Sequence, residues 1–227
     1  MRLEGKIALI TAAGGDLGVA TALRFAREGA TVVLNDVKST RLDRVAIEIA
    51  ETEGSRALIV LGDITRPAHV ERLVREALEA FGRIDILVNH ATPATDLDSA
   101  LQGAALCTSA VLPGMRDRKS GRLIFTGPAD TVGSAVSVSA GLAALTMKLA
   151  IETAREGITA NCVMPGVTAE GQLAFNATAQ TLAPMIPMGR IGDPREVAAV
   201  HVFFASDESS YVTGQVLYVD GGLSVSA

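Results

Sequence analysis

Short runs of β-branched and aliphatic residues recur along this chain with amphipathic stretches between them, and that alternation constrains the fold more than any other feature. The runs at 6–12, 31–35, 57–61, 84–89, 122–126, 159–164 and 215–219 read as strands buried on both faces. Segments 17–28, 41–53, 68–81, 139–155 and 194–205 repeat their apolar residues at helical spacing. Strand and helix in alternation imply a parallel sheet covered on both sides. Right-handed crossovers then narrow the arrangement to an α/β fold, a doubly wound Rossmann-like parallel sheet of about seven strands with helices on both faces. The 227 residues, 48% of them hydrophobic, suffice for one sizeable core, so residues 1–227 are expected to form a single domain. The stretch 126–134, rich in Pro, Gly and small residues, joins a strand to a helix at the sheet's carboxyl edge, where ligands sit in such folds.

Composition excludes several classes. A net charge of −5 with scattered basic residues leaves no footprint for a phosphate backbone, so nucleic acid is not an expected partner. The first apolar run, 7–11, is too short for a signal-peptide core or a membrane span, which points to the cytoplasm and away from membranes. Cys107 and Cys162 lie far apart without a CxxC or Cys/His cluster, so neither a disulfide framework nor a metal site is expected, and both read as small buried hydrophobes.

The turn after the first strand, TAAGGDLG at 11–18, leads into a helix and would set backbone N–H groups and a helix amino terminus against a pyrophosphate. Further segments follow in order: LNDV at 34–37, GDIT at 62–65, IDILVNHA at 84–91, MPG at 164–166, GRIGDPREVA, and VTGQVLYVDGG near the carboxyl terminus. Together they resemble the short-chain dehydrogenase/reductase family from end to end. The resemblance implies the cofactor-binding residues Gly18, Asp36, Asp63, Ile64 and Asn89. Asp36 would hold both hydroxyls of an adenosine ribose and repel a 2′-phosphate, favouring NAD over NADP. Asp63 and Ile64 would flank the adenine, and Asn89 would hold the central strand beside the cofactor. Each also has a plainer reading, Asp36 and Asp63 as strand-end turn residues and Asn89 as a structural hydrogen-bonder.

The family pattern TGxxxGxG is only partly kept. Its first glycine is Ala12 here, its second is Asp16, and Gly18 survives. NAD binding is therefore expected to be weakened. An Asp16 carboxylate near the pyrophosphate would cost on the order of 1–3 kcal/mol, unless it serves simply to cap the helix.

The resemblance also implies a tyrosine general acid/base, a lysine one turn later that lowers its pKa, a serine that orients the carbonyl, and an asparagine completing a proton relay. Those positions fall on Ala135, Ser139, Pro128 and Ala100. The chain contains no Tyr-x-x-x-Lys, its tyrosines being Tyr211 and Tyr218. Lys148 is nine residues beyond Ser139, about 13 Å along a helix, and cannot stand in. Glu170 falls where relatives carry a threonine that touches nicotinamide. His90, in place of the second asparagine of NNAG, is either a hydrogen-bonded core histidine or an acid/base, with Asp130, Ser134, Ser137 and Glu170 as candidate neighbours.

No catalytic residue is assigned on this reading. The expected function is a non-catalytic subunit that assembles with an active NAD-dependent hydroxyacyl-thioester or alcohol dehydrogenase of the same family, as a homo- or hetero-oligomer through 100–111, 139–155 and 212–223. The alternatives are an NAD-dependent oxidoreductase, lyase or isomerase with non-standard catalytic residues, and a nucleotide or metabolite sensor.

Overall fold

The computed structural model describes residues 1–38, 40–92, 96–128, 134–169 and 181–226. Seven strands form one parallel sheet: β1 (Ile7–Ile10), β2 (Thr31–Asp36), β3 (Ala57–Leu61), β4 (Ile86–His90), β5 (Gly121–Thr126), β6 (Ile158–Pro165) and β7 (Val216–Val219). Their order across the sheet is β3-β2-β1-β4-β5-β6-β7.

Among the described residues six α-helices cover the sheet: α1 (Asp16–Arg27), α2 (Leu42–Glu53), α3 (Pro67–Phe81), α4 (Leu97–Asp117), α5 (Ser134–Thr153) and α6 (Pro194–Ala205). The strands are apolar at successive positions because each pleat feeds two cores. Ile7 and Leu9 pack with residues of α3, α4 and α5, while Ala8 and Ile10 pack with residues of α1, α2 and α6. The same alternation sends Leu87 to the first core and Ile86 and Val88 to the second. It follows that Asn89 and His90 at the end of β4 point to opposite faces.

β1 lies between β2 and β4, with Leu9 opposite Val33 on one side and Leu87 on the other. The chain runs outward from β1 through β2 to β3, then returns to lay β4 on β1's other edge. The connections leaving β1 and β4 therefore part in opposite directions and open a crevice at the sheet's carboxyl edge.

Two helix ends show how sequence sets the boundaries. α6 begins at a capping box, in which the Asp193 carboxylate accepts from the Arg195 amide at 2.8 Å and the Asp193 amide donates to Glu196, with Pro194 filling the first turn. α4 is capped by Asp96, which accepts from the Ser99 amide at 2.9 Å. The residues 136–156 around α5 are long and apolar enough to cross a membrane by length and composition. α5 packs on β6 and α4 within the layered fold. Cys107 and Cys162 are buried, and burial pushes both thiols up to about 12, so they act as small apolar side chains.

Candidate active site

The turn leaving β1 carries the largest departure from the glycine pattern. Ala12 sits at φ 47°, a left-handed conformation that suits glycine, so its methyl is accommodated at a strain of roughly 1–2 kcal/mol. Gly18 lies in the first turn of α1, where a Cβ would collide with the Ala12 carbonyl oxygen and stand 2.7 Å from the Ala13 Cα. Its absence of a side chain lets the helix seat tightly on the turn. Gly18 thus shapes the cradle from behind and does not line the cavity in front of it.

Asp36 ties this turn to the end of β2. Its Oδ2 accepts from the Gly14 amide at 3.0 Å, and its Oδ1 accepts from the amides of Val37 at 2.7 Å and Lys38 at 3.3 Å. The expectation for Asp16 needs correcting. Gly15, not Asp16, is the helix cap, and the Asp16 carboxylate is paired with the guanidinium of Arg41. Arg41 also donates to the Gly14 carbonyl at 3.3 Å, so one side chain fastens the turn and neutralises its charge. The structure gives no ground for the weakened phosphate turn expected from the sequence.

Asp36, Asp63, Ile64 and Asn89 come together around a cavity of about 220 Å³ at the crevice, with Ala12, His90 and Ala100 also in its wall. The Asp63 carboxylate accepts from the Thr65 hydroxyl at 2.7 Å and its amide at 2.9 Å, bonds that hold it below the usual carboxylate range. Ile64 packs against Gly103 of α4, where a Cβ would stand 2.8 Å from its side chain. Asn89 is 3% exposed, and neither its Nδ2 nor its Oδ1 has a hydrogen-bond partner among the described residues. A purely structural role would have engaged them.

His90 is buried on the opposite face, where its ring meets His201 of α6 edge-on at 5.2 Å. His201 stands between Thr21 and Thr126, each hydroxyl 3.0 Å from a ring nitrogen. Burial lowers His90 to about 3 and also holds His201 well below the ordinary range, with His90 adding to the effect.

A second cavity, about 280 Å³, lies between α5 and the ends of β5, β6 and β7. Pro128 and Ser139, the positions matched to the family's serine and lysine, share its wall. So do Tyr218 and Asp220, which the reading along α5 had missed. Parallel pairing sets Tyr218 opposite Met164, and this register carries the carboxyl-terminal phenol to the α5 cavity. The apolar run 215–219 was the signal for a strand, but not for its neighbour. Lys148 points away and pairs with Glu152 at 3.4 Å, and Ser137 is exposed. Asp130, Glu170 and the side chains of Ser134 and Ala135 lie outside the described residues.

Comparison with known proteins settles the lineage. A family profile described as enoyl-(acyl carrier protein) reductase matches residues 12–224. The chain belongs to the short-chain dehydrogenase/reductase family. It is 38% identical to the (2S)-[(R)-hydroxy(phenyl)methyl]succinyl-CoA dehydrogenase subunit BbsD of Thauera aromatica, covering 100% of both chains. It is 36% identical to the 3-oxoacyl-[acyl-carrier-protein] reductase FabG of Thermotoga maritima, covering 99% of this chain and 100% of the relative. The crystal structure of levodione reductase superposes with a TM-score of 0.88 at 31% identity, covering 100% of both chains.

These findings overturn the expectation of a non-catalytic subunit, and with it the leaning against an enzyme. The relatives are named as oxidoreductases, and the likeness runs through the whole chain. The positions matched to the family's reactive groups hold no phenol, and the pairing of β7 on β6 brings Tyr218 and Asp220 to the wall of the cavity that Ser139 lines.

Two outcomes follow from this geometry. Arg41→Ala leaves Asp16 unpaired beside the turn, and should weaken NAD binding about tenfold in calorimetric titration, with Asp16→Gly in the same chain restoring it. Equal affinity of Arg41→Ala and the parent would contradict the pairing's role. The buried imidazoles have folded-state pKa values below the unfolded one, so the unfolded chain binds more protons in acid. Their stabilisation is complete above about pH 6.5 and is lost as pH falls towards about 3. The urea midpoint should drop across that window, and less steeply in His90→Asn; identical profiles would contradict it.

Proposed function

We propose that the chain is an NAD-dependent oxidoreductase that interconverts a β-hydroxyacyl thioester and its β-keto form, using non-standard groups to handle the proton. The observation that carries this reading is the crevice cavity, where Asp36, Asp63 and Ile64 stand at one end and the unpartnered amide of Asn89 at the other. The residues present fit a dinucleotide: a close-seated helix behind the turn, a paired Asp16, and buried polar atoms awaiting partners. NAD, when bound, gives or takes the hydride. Asp36 sets the preference for NAD, because its carboxylate repels a 2′-phosphate. The thioester class is supported by the printed names of the relatives, which act on an acyl-CoA and an acyl-carrier-protein substrate.

Tyr218 is the phenol that the α5 cavity offers in place of the family's tyrosine, and Ser139 lines the same cavity. In the reductive direction the Tyr218 O–H bond breaks, its proton passes to the substrate oxygen, and solvent returns a proton to the phenolate. In the oxidative direction the proton moves the other way. Purified protein with acetoacetyl-CoA should oxidise NADH faster than NADPH by about tenfold, read at 340 nm. Tyr218→Phe should lower kcat by about 10²–10⁴ with a smaller change in KM. Absence of turnover in the parent would sink the reading, and full turnover in Tyr218→Phe would remove Tyr218 from it.

We further propose that the protein assembles with a second copy of itself through α5 and the open edge at β7. Met147 and Ile151 expose 51% and 83% of their surface on α5, and they adjoin Thr213 and Gly214 just before β7. A water-soluble, cytoplasmic dimer or tetramer covers this apolar face. Ile151→Lys should reduce the mass found by light scattering to that of one chain, whereas an unchanged mass would exclude this face.

A further inference from the structure

The three histidines of this chain divide by burial: His90 and His201 are enclosed, whereas His69, in the first turn of α3, is half-buried. Its Nδ1 accepts from the Asp63 amide at 3.0 Å. Gly62, Asp63, Ile64 and Thr65 form the turn from β3 to α3, and all four line the crevice cavity. His69 is not part of that wall but packs on the turn, where a Cβ added to Gly62 would stand 3.2 Å from its own Cβ.

The turn is fastened from two sides. From β2, the Asp36 carbonyl accepts from the Gly62 amide at 2.9 Å, and the Asn35 side-chain amide donates to the Val60 carbonyl at 3.0 Å and the Gly62 carbonyl at 3.1 Å. The Asn35 carbonyl accepts from the Ala13 amide at 2.9 Å and the Asp36 carboxylate from that of Gly14 at 3.0 Å, so the same strand end also holds the phosphate turn. From α3, the tie to the Asp63 amide is His69. Arg66, at the N-cap, makes no side-chain bond to the helix. The third helical residue instead reaches back to an amide ahead of the helix, as a Glu or Gln does in a capping box.

We propose that His69 is a positioning residue of the cofactor site: its unprotonated Nδ1 holds the Asp63–Ile64 turn against α3, and protonation of the ring releases the turn and weakens dinucleotide binding. The inference rests on the crevice being the dinucleotide site. A backbone N–H only donates, so this bond needs a bare ring nitrogen, and an imidazolium carries a proton on both. Imidazoles ordinarily gain that proton between about pH 5 and 8. The charges around the ring oppose one another. The Asp63 carboxylate, kept ionised by its bonds from Thr65, favours the imidazolium. Arg66, 3.6 Å from that carboxylate, Arg72, which donates to the Leu61 carbonyl, and the amino terminus of α3 disfavour it. Glu76 pairs with Arg72 at 4.0 Å. On the α4 side the turn meets Gly103 through Ile64, and on the β2 side the Asp36 carboxylate is turned to the amides of Gly14, Val37 and Lys38. Acid therefore sets two N–H groups face to face, and the turn loses its tie to the helix.

Calorimetric titration of the whole chain with NAD, at about pH 8 and about pH 5.5, reads this directly. His69→Asn places an amide oxygen where Nδ1 stands and does not titrate, whereas His69→Leu removes the acceptor. At the higher pH the parent and His69→Asn should bind alike, with His69→Leu weaker by about tenfold. At the lower pH the parent should weaken about tenfold towards His69→Leu, while His69→Asn holds within a few-fold. Burial keeps His90 and His201 uncharged across that range, and the remaining groups are common to the three proteins, so the difference belongs to His69. Nitrogen-15 spectra of the parent need no variant to fold: the Asp63 amide should shift together with the His69 ring in one shared titration. His69→Leu that binds as the parent does at the higher pH, His69→Asn as acid-sensitive as the parent, or an Asp63 amide unmoved by acid would overturn the proposal. No heat from the parent at millimolar NAD at either pH would overturn the dinucleotide reading itself, an outcome distinct from parent binding that His69→Leu retains.

Discussion

Everything at the carboxyl edge depends on β1 being paired on both sides, to β2 by Ile7–Ile10 against Thr31–Leu34 and to β4 by Ala8–Ile10 against Ile86–Val88. Parallel pairing forces every strand to end at the same edge, and the reversal of order beside β1 separates the loops that follow. Asp36, Asp63 and Asn89 come from different stretches of chain, yet they meet because each follows or ends a strand of one sheet. The pleat then divides their work. Asn89 and His90 are neighbours in sequence but belong to opposite layers, so Asn89 lines the crevice while the His90 ring packs against His201 of α6.

Within that frame the phosphate turn shows how a lost glycine can be compensated. Asp16 brings a negative charge to the turn where the proposed dinucleotide would set its pyrophosphate, and Arg41 from the start of α2 offsets it while also holding the Gly14 carbonyl. Asp36 grips the same turn from the other direction through the Gly14 amide. The turn is thereby clasped from two sides by side chains rather than made pliable by glycine. Ala12, at positive φ, is the remaining strained point, and it lies in the wall of the cavity that the turn serves.

The fold was readable because apolar runs without alternation have few homes other than a doubly covered parallel sheet. The run 122–126 became Gly121–Thr126, and the segment 194–205 became Pro194–Ala205 with its capping box. The crevice residues were readable for a related reason, since strand-end positions of a parallel sheet share one edge. What could not be read was contact between distant segments. Arg41 meets Asp16 only once α2 is docked beside α1, and His201 comes to lie under His90 only when α6 packs on β5 and β6. Tyr218 enters the α5 cavity only through the Met164 to Tyr218 register. A tally of family positions along the chain does not show which distant side chains the sheet brings beside them.

The central claim is that this chain, by itself, moves a hydride at the crevice. The most direct measurement follows the label rather than the rate: purified protein is incubated with NADH carrying deuterium at the nicotinamide carbon and with a β-ketoacyl thioester, and the product is weighed by mass spectrometry. The account requires a β-hydroxyacyl thioester that has gained one deuterium from a single face of the cofactor. Unlabelled product, or no product at all from protein that is folded and saturated with NADH, would contradict it.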